Sequence, residues 1–149
     1  MTLRPYSLTD WEQLCVVHDA ARVHELEASG LTAAFLTLEA TAGNEGLFDD
    51  EVIVAEVAEE VCGFVAYAEG ELTWLHVKPS RYKQGIGRQL VRHAIMASGG
   101  NMSTEVLVGN EAALALYLSE GFKVEPRVDG KLTGNESFPA SGYVLQRTA

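Results

Sequence analysis

His76-Val77-Lys78-Pro79-Ser80-Arg81-Tyr82-Lys83-Gln84-Gly85-Ile86-Gly87-Arg88 is the stretch that decides the fold. A strand stops at a proline, a basic turn follows, and two glycines open a helix. Glycine lets main-chain amides approach a ligand with no side chain in the way. The first amides of a helix lack partners inside it, and the dipole adds roughly half a positive charge there. Together these features make a cradle for phosphate. A dinucleotide fingerprint would need a third glycine where Leu90 stands, and would follow the first strand of a parallel sheet. A P-loop needs Gly-Lys-Ser or Gly-Lys-Thr, and a hydrolase elbow needs Gly-x-Ser-x-Gly; the sequence has neither. The plainer reading, in which the glycines only let helix pack on sheet, stays open at this point.

Upstream, residues 51–58, 61–68 and 72–77 read as strands, with tight turns at Glu59-Glu60 and Glu69-Gly70. Turns that short force an antiparallel meander. Downstream, Ile86, Leu90, Val91, Ala94 and Ile95 fall on one face of a helix that ends by Ser98-Gly99-Gly100. The helical crossover lets residues 103–108 lie parallel to the third strand of the meander. Asn110 caps a further helix that Gly121 terminates. Residues 122–128 and 142–147 form a closing antiparallel pair, with a mobile loop between them that holds Gly130, Gly134, Asn135 and Pro139. At the other end, Thr9-Asp10-Trp11-Glu12 fits a capping box for a helix to about Arg22. A second helical stretch covers 23–41, broken at Ser29-Gly30, and 42–50 is a loop. The expected fold is one α/β domain over residues 1–149, a mixed sheet with helices packed on it.

The 149 residues leave room for one well-filled core, and 47% hydrophobic with 21% charged residues is ordinary for a globular protein. No apolar run reaches the length of a membrane helix, and no apolar core follows Arg4, so a cytoplasmic location is expected. Cys15 and Cys62 read as reduced, buried thiols, and the four histidines follow no metal-ligand spacing, so no metal is expected. The net charge of −10 disfavours nucleic acid and favours a cationic substrate. Its distribution is uneven. Residues 72–104 contain no Asp or Glu but hold Lys78, Arg81, Lys83, Arg88 and Arg92. One basic island in an acidic chain, placed on the glycine loop, suggests a bound anion; a solvated helix face is the alternative.

Leu75-His76-Val77-Lys78-Pro79 with Gln84-Gly85-Ile86-Gly87-Arg88-Gln89-Leu90 resembles the acyl-CoA motif of the GNAT superfamily of N-acyltransferases. Asn110-Glu111-Ala112-Ala113-Leu114-Ala115-Leu116-Tyr117-Leu118-Ser119-Glu120-Gly121-Phe122 is similar to the family's second signature, and the element order matches along essentially the whole chain. The resemblance implies an N-acetyltransferase with acetyl-CoA as donor and a small-molecule or peptide amine as acceptor, attacking directly in a ternary complex. It implies that the backbone of Leu75, His76 and Val77 pairs with pantetheine, with the Val77 amide near the thioester oxygen. It gives the pyrophosphate to the amides of Lys83, Gln84, Gly85, Ile86, Gly87 and Arg88, and a pantetheine contact to Asn110. Tyr117 matches the general acid that protonates the leaving thiolate, and Glu71 stands where some members carry a catalytic base. Tyr82 occupies the position where the family carries Arg or Gln, with Arg81 one step before it. Core packing for Tyr117 and a solvent-facing hairpin end for Glu71 are the rival readings of those two residues. The N-terminal helices would form the acceptor wall, with Glu25, Glu27, Phe35 and Glu39 as possible contacts. Alternatives from other classes are a non-catalytic acyl-CoA sensor, an enzyme acting on tRNA-linked amines, and transfer of a longer acyl chain. The closing strands could also pair between two copies as a homodimer.

Overall fold

The computed structural model describes residues 1–43, 45–125, 128–132 and 135–149, with side chains throughout except along 128–132 and 135–140. A four-residue strand, Thr2–Pro5 (β1), opens the chain; it is too short to show a period and is not foreseen from the sequence. Helix Trp11–Ala28 (α1) follows. The Thr9–Glu12 box does not start it. The Ser7 amide instead donates to the Asp10 carboxylate at 2.8 Å, and Arg4 adds two bonds to the same group at 2.8 Å each. A carboxylate held by a guanidinium makes a stronger anchor than a threonine hydroxyl. The helix then runs past Arg22 to the expected break at Ser29-Gly30, where Gly30 has a φ of 70°. Beyond it lie a 3-10 turn at Thr32–Ala34 and a single turn, Leu38–Thr41 (α2), in place of a second long helix.

The meander forms as expected from Glu51–Val57 (β2), Glu60–Ala68 (β3) and Glu71–Val77 (β4). Its first turn sits one residue earlier than expected, at Ala58-Glu59. Helix Ile86–Ala97 (α3) leads to Met102–Leu107 (β5), which is parallel to β4. Helix Glu111–Ser119 (α4) follows, then Lys123–Val124 (β6), Val128–Leu132 (β7) and Asn135–Arg147 (β8). All eight strands join one sheet in the order β1-β2-β3-β4-β5-β8-β6, with β7 also on β8. β6 and β8 are antiparallel, as expected of the closing pair. The expected loop between them is largely strand. Gly130 lies in β7, while Asn135 and Pro139 lie in β8, with Lys131 opposite Pro139; residues 126–127 and Gly134 lie outside the described residues. Low strand propensity suggested a loop there, and pairing with a long neighbour overrides propensity.

One face of the sheet packs on α1, through Leu14, Val17, Leu38, Val54, Phe64 and Trp74. The other packs on α3 and α4, through Leu72, Leu90, Val91, Val106, Tyr117 and Phe122. Strand β4 serves both faces, and it carries a bulge. Tyr67 faces Leu72 and Ala66 faces Trp74, so Thr73 is an extra residue, and its hydroxyl donates to the Ala66 carbonyl at 3.1 Å. Leu72 and Leu75 therefore share the α3 face although they stand three positions apart. A bulge also bends its strand and sharpens its twist. Pairing of β4 with β5 is confined to Glu71 opposite Ser103, backed by a 3.0 Å bond from Thr104 Oγ1 to the Leu72 carbonyl. Past the bulge the two strands diverge, and the sheet has a gap at its centre.

Helix α1 crosses this gap. Its middle packs on Trp74 of β4, whereas Leu26 near its end meets Leu107 of β5. The approach at that end is close: a Cβ on Gly109 would lie 2.6 Å from the Ala28 carbonyl oxygen.

Candidate active site

The glycine loop lies at the open end of the gap. A 3-10 turn at Pro79–Arg81 leads into it, Lys83 takes a φ of 63° and Gly85 one of 82°. The amides of Lys83, Gln84, Gly85, Ile86, Gly87 and Arg88 meet no acceptor among the described residues; the first bond of the helix runs from Gln89 N–H to the Gly85 carbonyl at 3.1 Å. Such a row of free donors at a helix start suits an anion. Gly63 on β3 brings the helix close, because a Cβ there would lie 3.1 to 3.2 Å from the His76 carbonyl oxygen, Ile86 and Leu90. Gly87 is different: a methyl group there would make ordinary contacts, 3.4 Å to Leu116 and 3.6 Å to Val77. Packing alone does not demand glycine at 87.

The basic island is less free than its sequence suggests. Lys78 Nζ lies 2.9 Å from Glu60, with Arg81 at 4.0 Å from the same carboxylate, and Arg88 and Arg92 both grip Glu120 at 2.6 Å. Folding brings in acids from outside the acid-free window. Lys83 alone of the five has no ion pair among the described residues, so the loop's pull on an anion comes chiefly from its amides. Tyr82 packs on His24 of α1, with ring centroids 5.3 Å apart, and ties the loop to the helix above the gap. Burial, helped by the Glu25 charge, pushes its hydroxyl up to about 12.

Tyr117 of α4 is buried on the α3 side, edge-on to Phe122 with centroids 5.3 Å apart. Burial holds its hydroxyl well above the usual tyrosine range; hydrogen bonding to Thr104 opposes this and the Glu25 charge adds to it. It is protonated at neutral pH. The Asn110 side chain accepts from the Ala113 amide at 3.4 Å and so caps α4. Glu71 is exposed at the hairpin end, in the single bridge with Ser103 that shuts the gap.

On the other side, His76 of β4 is buried among Phe64, Trp74 and His18. Its Nδ1 lies 2.9 Å from the Glu25 carboxylate of α1. Burial would raise the Glu25 carboxyl, but the His76 charge and hydrogen bond, with Arg22 at 3.4 Å, hold it below the usual carboxylate range. Glu25 is thus an anion and Nδ1 donates to it. Behind this pair, His18 Nδ1 lies 2.8 Å from Asp19, and burial and the His76 charge push His18 down to about 4. Glu25 was visible in the sequence only as one acid among several on the N-terminal helices. A histidine on the inward face of a half-buried strand was the available signal, since such a group needs a buried partner. The bulge, which sets that face, left no signal in the sequence.

A family model described as an acetyltransferase (GNAT) domain matches residues 48–124. The N-alpha-acetyltransferase RimI of Mycobacterium tuberculosis is 45% identical over 56 residues, 37% of this chain and 35% of the relative, so the match spans about a third of that relative's length. The GCN5-related N-acetyltransferase of Rhodopseudomonas palustris superposes with a TM-score of 0.82 at 14% identity, covering 99% of this chain and 95% of the other. The PaiA N-acetyltransferase of Thermoplasma acidophilum, solved in complex with coenzyme A, superposes at 0.76 with 18% identity over 99% and 98%. At these identities the two structures share the fold with this chain.

Proposed function

Because this chain belongs to the GNAT acetyltransferase family, we propose that it moves an acetyl group from acetyl-CoA to an amine. The observation that carries the reading is the row of unpaired amides from Lys83 to Arg88, set beside a half of β4 that β5 leaves unpaired. The amides take the pyrophosphate. The freed main chain of Leu75, His76 and Val77 takes the amide-bearing pantetheine arm as an added strand. The cofactor supplies the thioester; the chain's own residues seat it, keep water from it and hold Tyr117 in its protonated form near the closed end of the gap. The PaiA complex with coenzyme A supports the donor.

The acceptor follows from cost and from the match to RimI. Freeing an α-amine of its proton at pH 7 costs about 1.4 kcal/mol, against about 4.6 kcal/mol for a lysine-like amine. The matched relative is an N-alpha-acetyltransferase, and a peptide N-terminus is accordingly the acceptor we put first. Calorimetry with acetyl-CoA and an assay for free thiol across an amine panel test both parts. Binding without transfer to any amine identifies a sensor module instead.

Gly87→Ala separates ligand from packing. Alanine fits the apo site and favours the helix by about 0.5–1 kcal/mol, so stability holds or rises. Affinity for coenzyme A falls at least ten-fold if the diphosphate lies against this turn. Unchanged affinity removes the cradle.

A further inference from the structure

The structure leaves a question at the gap: which group takes the proton that the amine nitrogen must lose. We propose that Glu25 is that group, with His76 as its positioning residue; the proposal rests on the acetyl-transfer reading above. Three observations carry it. Helix α1 spans the gap, from Trp74 on one side to Leu107 and Gly109 on the other, and Glu25 lies on the stretch between these contacts. The carboxylate is fixed there by His76 from the β4 wall at 2.9 Å and by Arg22 of its own helix at 3.4 Å. His24, the residue before Glu25 on the helix, packs on Tyr82 of the glycine loop with ring centroids 5.3 Å apart, so the carboxylate stands beside the loop that would seat the cofactor.

The charged and titratable groups in contact with Glu25 are Arg22 from α1 and His76 from β4, with His18 behind His76, and its charge also helps to raise the Tyr82 and Tyr117 hydroxyls. Two cationic or proton-donating neighbours keep Glu25 ionised. An anion of this kind is too weak a base to strip a free ammonium, so the acceptor reacts as its neutral amine. The nitrogen lone pair attacks the thioester carbonyl and the N–C bond forms. One N–H proton, acidified as nitrogen becomes positive, passes to a Glu25 oxygen. The C–S bond breaks, and the thiolate takes the Tyr117 hydroxyl proton. Water then removes the proton from Glu25 and restores the one on Tyr117, so the net change is a proton moved from nitrogen to sulfur. Glu71, exposed at the shut end of the gap, reaches this point only through solvent.

A peptide with an N-terminal alanine and spermidine serve as acceptors, with acetyl-CoA binding measured beside the rates. Glu25→Gln keeps the shape of the side chain and loses the base: kcat falls about 100-fold, while acetyl-CoA affinity stays within two-fold. Glu25→Ala falls as far but recovers at least ten-fold when formate is added, a rescue that a purely structural carboxylate does not show. His76→Gln lowers kcat less than Glu25→Gln and is not rescued by formate. A Glu25→Gln enzyme within three-fold of wild type, or a Glu25→Ala enzyme indifferent to formate, overturns the assignment and leaves the acetyl-transfer reading standing. A wild-type protein that acetylates neither amine overturns both, and is recognised before any variant is compared.

Discussion

In the proposed mechanism Tyr117 serves packing and chemistry together. Its ring fills the core beside Phe122, and its hydroxyl, raised by burial, stays protonated where an ordinary tyrosine would begin to ionise, at about pH 10. Tyr117→Phe keeps the ring and removes the proton: turnover falls roughly 10- to 100-fold, coenzyme A affinity changes little, and wild-type turnover shows no alkaline loss below about pH 10. Steady-state rates across pH, paired with calorimetry, check all three. His18 makes a prediction about stability. Its folded value near 4 lies below the ordinary histidine value of 6.5, so the unfolded chain binds the proton first as pH falls. The stability His18 contributes is complete above 6.5 and is lost as pH drops from there to about 4, a change on the order of 3 kcal/mol. Urea melts at pH 7.5, 5.5 and 4.5 measure it, and His18→Gln flattens that part of the slope. A slope unchanged in the variant assigns the effect to other groups.

Among elements, helix α1 and the turn after β5 are most tightly constrained. Gly109 has a φ of 106° and its missing Cβ would meet main-chain atoms of Ala28 and Ser29 at 2.6 and 3.0 Å. Backbone on both sides leaves nothing flexible to give way. Gly109→Ala destabilises by about 3 kcal/mol, a fall in Tm of about 6–12 °C, and lifts the end of α1 from β5; differential scanning calorimetry reads the first effect. Legibility from sequence also divides by element. α3 and β5 were plain because each buries one face at its own period, the meander because apolar runs alternate with tight turns, and α4 because Asn110 and Gly121 mark its ends. The loop at 85–87 was plain because two glycines open a helix soon after a strand that stops at Pro79. The start of α1 was misread because Asp10 answers to Arg4 of a strand that four residues could not announce. β7 and most of β8 were hidden by Gly130 and Pro139, whose strand pairing is a tertiary effect. The Glu25–His76 contact joins residues 51 positions apart and has no local signature.

At the scale of the molecule, the overall charge and the glycine loop are of opposite character. The net charge is −10, yet the glycine loop offers amide dipoles, and four of five nearby cations are already paired with Glu60 and Glu120. Short-range dipoles are screened little by salt, whereas the overall field is screened within about 10 Å at 0.1 M. Raising salt from about 0.05 to about 0.5 M should therefore raise KM for a polycationic acceptor several-fold, and weaken coenzyme A binding by less. Equal sensitivity of the two indicates that long-range attraction, not the loop amides, seats the cofactor. The extra residue in β4 bears on the same architecture. Strike out Thr73 and Leu72, Trp74, Leu75 and His76 would follow one another in regular alternation, each still turned to its present side. Both cores would keep their inward residues, while the strand would lose the bend that one extra residue gives it at the point where it leaves β5.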